Sequence, residues 1–396
     1  MKNAVIVDVV RTAVGKGKPG GALSGVHPVD LLATVLQALQ ERNNLDPALV
    51  DDVITGCVSQ VGEQSMNISR QAVLAAGWPE SVPATTVDRQ CGSSQQAVHF
   101  AAQGIMAGAY DIAVAAGVES MSRVPLGASL QDADNQGPSV RKRYNPGLVH
   151  QGLSAELLAA RYKLTRDELD AFAARSHRRA LAATEQGHFE STIIPVEVKD
   201  ADGNTLTHTV DETMRPTTAE ALSGLRPSFV NEKFKARFPE VEWMITPGNS
   251  SPLTDGASAA LIMEESVAEK LGLTPRARFV SFAVAGADPV IMFTAPAPAT
   301  QKALDRVGLQ VDEIDLFECN EAFAPVPLVW ARELGIDFDK ANVSGGAIAL
   351  GHALGSSGTR LLSTLLADLE RTGGRYGLQV MCEGGGMANA TIIERV

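Results

Sequence analysis

The chain has 396 residues, enough for two or three domains with full cores, and its 34 Lys and Arg stand against 46 Asp and Glu, a net charge of −12. An acidic chain with 5% aromatic residues is poorly suited to nucleic acid, whose binding draws on phosphate neutralisation. No apolar stretch reaches the ~18 residues of a membrane span; the four cysteines (Cys57, Cys91, Cys319, Cys382) are spaced too widely for a zinc site or a disulfide framework.

The first residues alternate like a strand over 5–10, and Asp8 and Arg11 interrupt the apolar run that a signal peptide needs. The terminal Glu-Arg-Val is not a peroxisomal tripeptide. These features predict a soluble, cytoplasmic protein with no membrane attachment. Residues 31–42 carry Leu31, Leu32, Val35, Leu36 and Leu39 at helical spacing. A strand is expected at 53–58, a short one at 84–88, an alanine-rich helix over 94–107 and a buried strand at 112–116. Strands separated by helices imply an α/β fold with a mostly parallel, covered sheet. The segment 112–116 is short, apolar and uncharged, which suits either a central strand or a sheet edge covered by a second copy.

From 121 to 247 charge, Pro and turn residues increase, with Arg141-Lys142-Arg143 and a helix over 165–187, and this reads as a large insertion. The α/β pattern resumes with strands at 257–263 and 277–284, a helix at 298–308, a strand at 314–319, helices at 322–334 and 356–371, and strands near 378–382 and 389–394. The expected domains are therefore 1–120 plus 248–270, the insertion 121–247, and 271–396. The two ends resemble one another: strands lead into Cys57 and Cys319, and strands precede Cys91-Gly92 and Cys382-Glu383-Gly384. A duplicated unit with a site between its halves would give this arrangement.

Four places carry chemistry. Cys91, in Asp-Arg-Gln-Cys-Gly-Ser-Ser, lies between a strand end and a helix start, where free N–H groups favour a thiolate. Its alternative is a small buried cysteine. His352 lies in a stretch with glycines at 345, 346, 351, 355 and 358, too many for ordinary helix or strand, and is a candidate base. Cys382 precedes Gly384-Gly385-Gly386, whose amides suit a developing oxyanion. Asn320 is either the cap of the following helix or a group that orients water.

Together these motifs resemble the thiolases, acyltransferases that cleave or form 3-oxoacyl-CoA. The likeness spans the chain: VRTAVGK near the start, the Cys91 block, AAGVESMS at 115–122, GNSSPLTDGASAA at 248–260, then NEAFA, GGAIALGH and CEGGG. It implies a thiolase-like fold: two similar βαβ-type domains in alternating helix and sheet layers, with a loop domain inserted in the first. It also implies that Cys91 accepts the acyl group, His352 activates it and helps stabilise the thioester oxyanion, and Asn320 holds a water in that hole. Cys382 would exchange the α-proton of acetyl-CoA, with the Cys91 and Gly384 N–H groups forming a second oxyanion hole. His150, Arg226 and Ser251 match positions near coenzyme A. Coenzyme A and acyl-CoA enter as substrates with no permanently bound cofactor and no metal, and the family assembles as homodimers or homotetramers.

This sequence departs from the family at Ala353, where Pro is usual after the histidine, at Gln151 for Met, at Pro252 for Gly, and in a longer, charged 230–245. Two other readings follow from the same likeness. One is a non-catalytic lipid- or acyl-CoA-binding relative, which would be free to lose a thiol or the imidazole. The other is a ketosynthase-type condensing enzyme, which typically has His or Asn where this chain has Cys382.

Overall fold

The computed structural model describes residues 2–200 and 202–396. Its main sheet contains β1 (Ala4–Thr12), β2 (Asp52–Gly56), β3 (Ala84–Val87), β4 (Ile112–Ser120), β5 (Thr254–Glu264), β6 (Ala277–Gly286), β7 (Leu316–Cys319), β8 (Tyr376–Glu383) and β9 (Met387–Arg395). They lie side by side as β7-β8-β9-β6-β1-β5-β4-β2-β3. Along this path β2 is parallel to β3 and β4, and β7 is parallel to β8; the other neighbours are antiparallel. The sheet is therefore mixed, not mostly parallel. One reason lies at Gly384-Gly385-Gly386, which turns β8 directly back into β9 as a hairpin with Glu383 opposite Met387.

Each half repeats one order. In the first, the strands run third, second, fourth, fifth, first across the sheet; in the second, a single parallel bridge from Phe317 to Ala341 marks the missing third strand and the rest match. The halves are therefore copies, and Cys57 and Cys319 both stand at the end of the second strand, Cys57 just past it and Cys319 as its last residue. The expected match of Cys91 with Cys382 does not hold. Cys91 follows a third strand, whereas Cys382 ends a fourth. Among the described residues, the sheets of the two halves join through two registered pairs, Val5 with Arg278 and Ile6 with Ala277.

Five layers result. Helix α1 (Pro28–Asn43) buries Leu31, Leu32, Val35, Leu36 and Leu39 on the outer face of the first half. Helices α3 (Ser93–Ala107) and α8 (Ser357–Thr372) lie between the halves, where Ala97, Ala101 and Ala102 permit close approach to Leu362, Leu365 and Leu366. Helix α6 (Pro296–Asp305) covers the outer face of the second half. The remaining large helices are α2 (Ile68–Ala75), α4 (Gln151–Arg161), α5 (Arg166–Glu185) and α7 (Pro325–Leu334). A capping box between Thr165 and Glu168 starts α5. Helices α4 and α5 lie in the insertion and share a core with Phe323, Val326 and Ile348 of the second half.

The strand expected at 112–116 runs on to Ser120 because Gly117–Ser120 keep pairing with 255–258. It lies between β5 and β2 and so is a central strand, which overturns the reading of it as a sheet edge. The outer edges are β3 and β7. The helix expected from 322 begins at Pro325, whose missing N–H suits the first helical turn. Asn320 is therefore no helix cap.

Candidate active site

The Cys91 turn is built by short polar contacts. Asp88 Oδ1 accepts the Gln90 N–H at 2.6 Å, and Gln90 adopts a φ of 48°. The Ser93 hydroxyl donates to the Gln90 carbonyl at 2.6 Å and accepts from the Arg89 N–H at 2.9 Å. Gly92 is required here, since a Cβ would fall 2.0 Å from Glu383 Oε1. Cys91 is buried among Met121, Leu354 and Met381. Burial, then the nearby Cys382, pushes its thiol well above the ordinary value; its own N–H and that of Gly384 pull the other way. Desolvation therefore outweighs the helix-end effect. The resting group is a thiol and needs a base.

The His352 imidazole is carried by the glycine-rich loop. Glu321 accepts from Ser176 Oγ at 2.6 Å, Asn342 Nδ2 at 2.9 Å and the Ile348 N–H at 3.1 Å, and a Cβ on Gly346 would strike its carboxylate. Glu119 ends β4 and accepts from the N–H groups of Val58 and Ser59 at 3.0 Å, and from Gln64 Nε2 and the Gly355 N–H at 2.9 Å. Two buried carboxylates thus pin the loop from both halves. Both acids lie inside conspicuous motifs, yet sequence reasoning gave neither a role. An acid ending an otherwise apolar strand was the available signal for Glu119.

The imidazole tautomer follows from hydrogen counting. Ser357 Oγ lies 2.6 Å from His352 Nδ1 and donates its only proton to the Ala353 carbonyl at 2.8 Å. It must therefore accept from Nδ1–H, which leaves the lone pair on Nε2. That atom meets Asn320 Nδ2 at 3.4 Å. Burial, and secondarily Arg360, lowers the imidazole pKa to about 3, so the ring is neutral across the working range. Ser357→Ala is expected to release the tautomer and slow Cys91 acylation roughly 10- to 100-fold, part of the general-base contribution. Ser357→Thr, which keeps a hydroxyl, should retain most activity. Acylation rates measured across pH check this, and parent-like rates in Ser357→Ala would refute it.

Cys382 stands at the end of β8, its thiol pushed up to about 12 by burial while the Asn320 side chain favours the charged form. Asn320 Oδ1 has no protein partner among the described residues, although it is buried. Asn320 thus stands beside both His352 and Cys382, and Cys91 beside Cys382 and the Gly384 N–H. Ser251 Oγ donates to the Ala322 carbonyl at 3.1 Å. His150 caps α4 by accepting the Gly152 N–H at 3.1 Å, and reaches the centre only through Phe229, 5.6 Å away, which in turn faces Phe323 at 6.1 Å. Arg226 is exposed and makes no hydrogen bond or ion pair among the described residues. In the basic run, Arg141 is occupied by Asp134 at 2.8 and 2.9 Å, and Arg143 lies over Tyr144.

A duplicated, layered α/β fold that buries two thiols, a neutral imidazole and an amide around one set of N–H groups defines a thiol-dependent acyltransferase. The models of the thiolase N-terminal and C-terminal domains match residues 4–266 and 273–395. This chain belongs to the thiolase family. It is 46% identical to steroid 3-ketoacyl-CoA thiolase FadA6 of Mycobacterium tuberculosis, across all of this chain and 95% of that protein. It is 48% identical to 3-ketoacyl-CoA thiolase of Serratia proteamaculans, across the full length of both. The acetyl-CoA acetyltransferase structure of Bacillus anthracis matches with a TM-score of 0.89 at 37% identity, over 100% of this chain and 99% of that one.

Proposed function

We propose that the chain thiolyses 3-oxoacyl-CoA to acetyl-CoA and a shortened acyl-CoA, or runs the reverse condensation, through a Cys91 acyl-enzyme in a ping-pong cycle. The observation that carries this is the Asn320–His352 contact, which sets an unprotonated Nε2 against the same amide side chain that serves the Cys382 thiol. His352 takes the Cys91 proton as sulfur attacks the 3-oxo carbonyl. The C2–C3 bond then breaks, and the Cys382 thiol protonates the departing acetyl-CoA carbanion. The Cys382 thiolate then takes the coenzyme A proton, the coenzyme sulfur displaces the acyl group from Cys91, and His352 returns its proton to the Cys91 sulfur. A thiol held high and an imidazole held low disfavour a resting ion pair, so the nucleophile forms in step with attack. Asn320, with its open Oδ1, would hold a water in the thioester oxyanion hole, and the Cys91 and Gly384 N–H groups would form the second hole. Ser251, His150 and the free Arg226 would contact the coenzyme.

A non-catalytic acyl-CoA binder has no use for a base with a fixed tautomer, and a ketosynthase-type enzyme would not place a thiol at 382. We take the working units as 1–120 with 248–270, the insertion 121–247, and 271–396. We also infer a cytoplasmic homodimer or homotetramer, in which a second copy covers the half-exposed outer edge of β3. The test is mass spectrometry after incubation with acetyl-CoA. One acetyl group on the peptide containing Cys91 is expected, and an unmodified chain overturns the reading.

A further inference from the structure

Glu383 ends β8 directly after Cys382 and takes no part in the mechanism above. Its side chain is fully buried, and neither carboxyl oxygen has a hydrogen-bond partner among the described residues. Glu119 and Glu321 are buried too, but at least three donors hold each of them. A buried carboxyl without donors keeps its proton, because the interior gives the charge nothing in exchange for water.

Its place is fixed from two sides. A Cβ on Gly92 would lie 2.0 Å from Glu383 Oε1, so the carboxyl rests against the residue that follows Cys91. Asn389 Nδ2 would lie 2.9 Å from the same Cβ, and it donates to the Gly92 carbonyl at 3.1 Å. Glu383 therefore touches the Cys91 turn in space and Cys382 along the chain. The groups that face it are Arg89, Asp88 and Cys91 on the turn into α3, Cys382 on its own strand, and the uncharged Asn389 on β9. Arg89 is the cation among them; its Nε is buried without a partner, and no ion pair joins it to Glu383 among the described residues. Burial lifts the Glu383 carboxyl to about 8, with Arg89 opposing the rise and Asp88 adding to it. Once ionised, the group acts on both sulfurs. After burial and Cys382 it raises the Cys91 thiol, and after burial it raises the Cys382 thiol, where Asn320 pulls the other way.

We propose that Glu383 is a positioning residue for both thiols, neutral while Cys382 is without its proton and, once ionised, a brake on thiolate formation at Cys382 and Cys91 alike. This rests on the thiolase reading above and adds a third acid to that site. In the cycle, quenching the acetyl-CoA carbanion leaves Cys382 as a thiolate until coenzyme A returns a proton. A second negative charge on the adjacent residue would oppose that state in a site shielded from water. The Glu383 proton is held rather than transferred, so the proton balance of the cycle is unchanged.

The test follows iodoacetamide alkylation of Cys91 and Cys382, read separately by peptide mass spectrometry, in the parent, Glu383→Gln and Arg89→Met. Alkylation reports the thiolate, so its rate climbs about tenfold per pH unit below the thiol pKa. The parent is expected to bend below that slope above about pH 8, where Glu383 ionises, while Glu383→Gln holds it. The variant should therefore gain roughly tenfold over the parent near pH 9.5 at both cysteines, a ratio that shrinks toward one below about pH 7. A ratio that stays the same at every pH marks a structural role and overturns the proposal, and so do parent-like profiles. Arg89→Met leaves Glu383 in place and serves should the Gln variant fail to fold. Loss of the opposing cation should move the bend to higher pH, and an unmoved bend overturns the proposal. Alkylation needs no turnover. A parent that bends as expected but never acetylates sinks the thiolase reading alone, while one that acetylates without any bend sinks the Glu383 role alone.

Discussion

Cys91→Ala is expected to remove both thiolysis and condensation, lowering turnover by roughly 10⁴-fold or more, the scale of losing a covalent nucleophile. The other thiols cannot substitute. Cys57 packs in the core of the first half and Cys319 in that of the second, and burial raises both well above the ordinary thiol value. Only Cys91 is served by the Gly384 N–H together with its own. The variant should still exchange the α-protons of acetyl-CoA with solvent, since Cys382 and Asn320 are untouched. Deuterium exchange followed by NMR, beside a turnover assay, reads both properties. Turnover above trace levels would refute the assignment.

Cys382→Ser should give the opposite pattern. With its pKa at about 12 the Cys382 thiol keeps its proton at neutral pH, which suits an acid poised to quench a carbanion. A serine hydroxyl is a much weaker acid, so proton transfer should slow and turnover fall roughly 10²-fold or more. Acylation of Cys91, which the proposed mechanism assigns to His352, should survive, so the acetyl group should still appear by mass spectrometry. Loss of acylation with retained proton exchange would mean that the two cysteines hold exchanged roles.

How much of this was legible in the sequence depended on whether short-range pattern or long-range pairing decided the outcome. The spacing of Leu31, Leu32, Val35, Leu36 and Leu39 fixes one buried face, and the helix follows over Pro28–Asn43. Strand direction has no such local signature. The alternation of strands and helices suggested parallel pairing, while the hairpin at 384–386 and the return of β5 through the insertion produced antiparallel neighbours. For the same reason the apolar 112–116 did not reveal whether it was edge or centre. The chemical residues stood out because glycine clusters and cysteines are conspicuous. Their supports did not: Glu119, Glu321 and Ser357 act across 236, 27 and 5 residues of chain on Gly355, Ile348 and His352.

Duplication has also shaped how the two halves share the chemistry. The turn after the third strand offers Cys91 in the first half, and in the second half the same place in the order opens the glycine loop from Asn342 to His352. Two ancestral copies would have presented two like turns to a common cleft. On the mechanism proposed above, one copy has kept the nucleophile and the other uses that turn to house the base, a division of labour between the halves. On that mechanism neither half works alone, and a symmetrised chain built from two first halves would carry two copies of Cys91 and no counterpart of His352 to activate either.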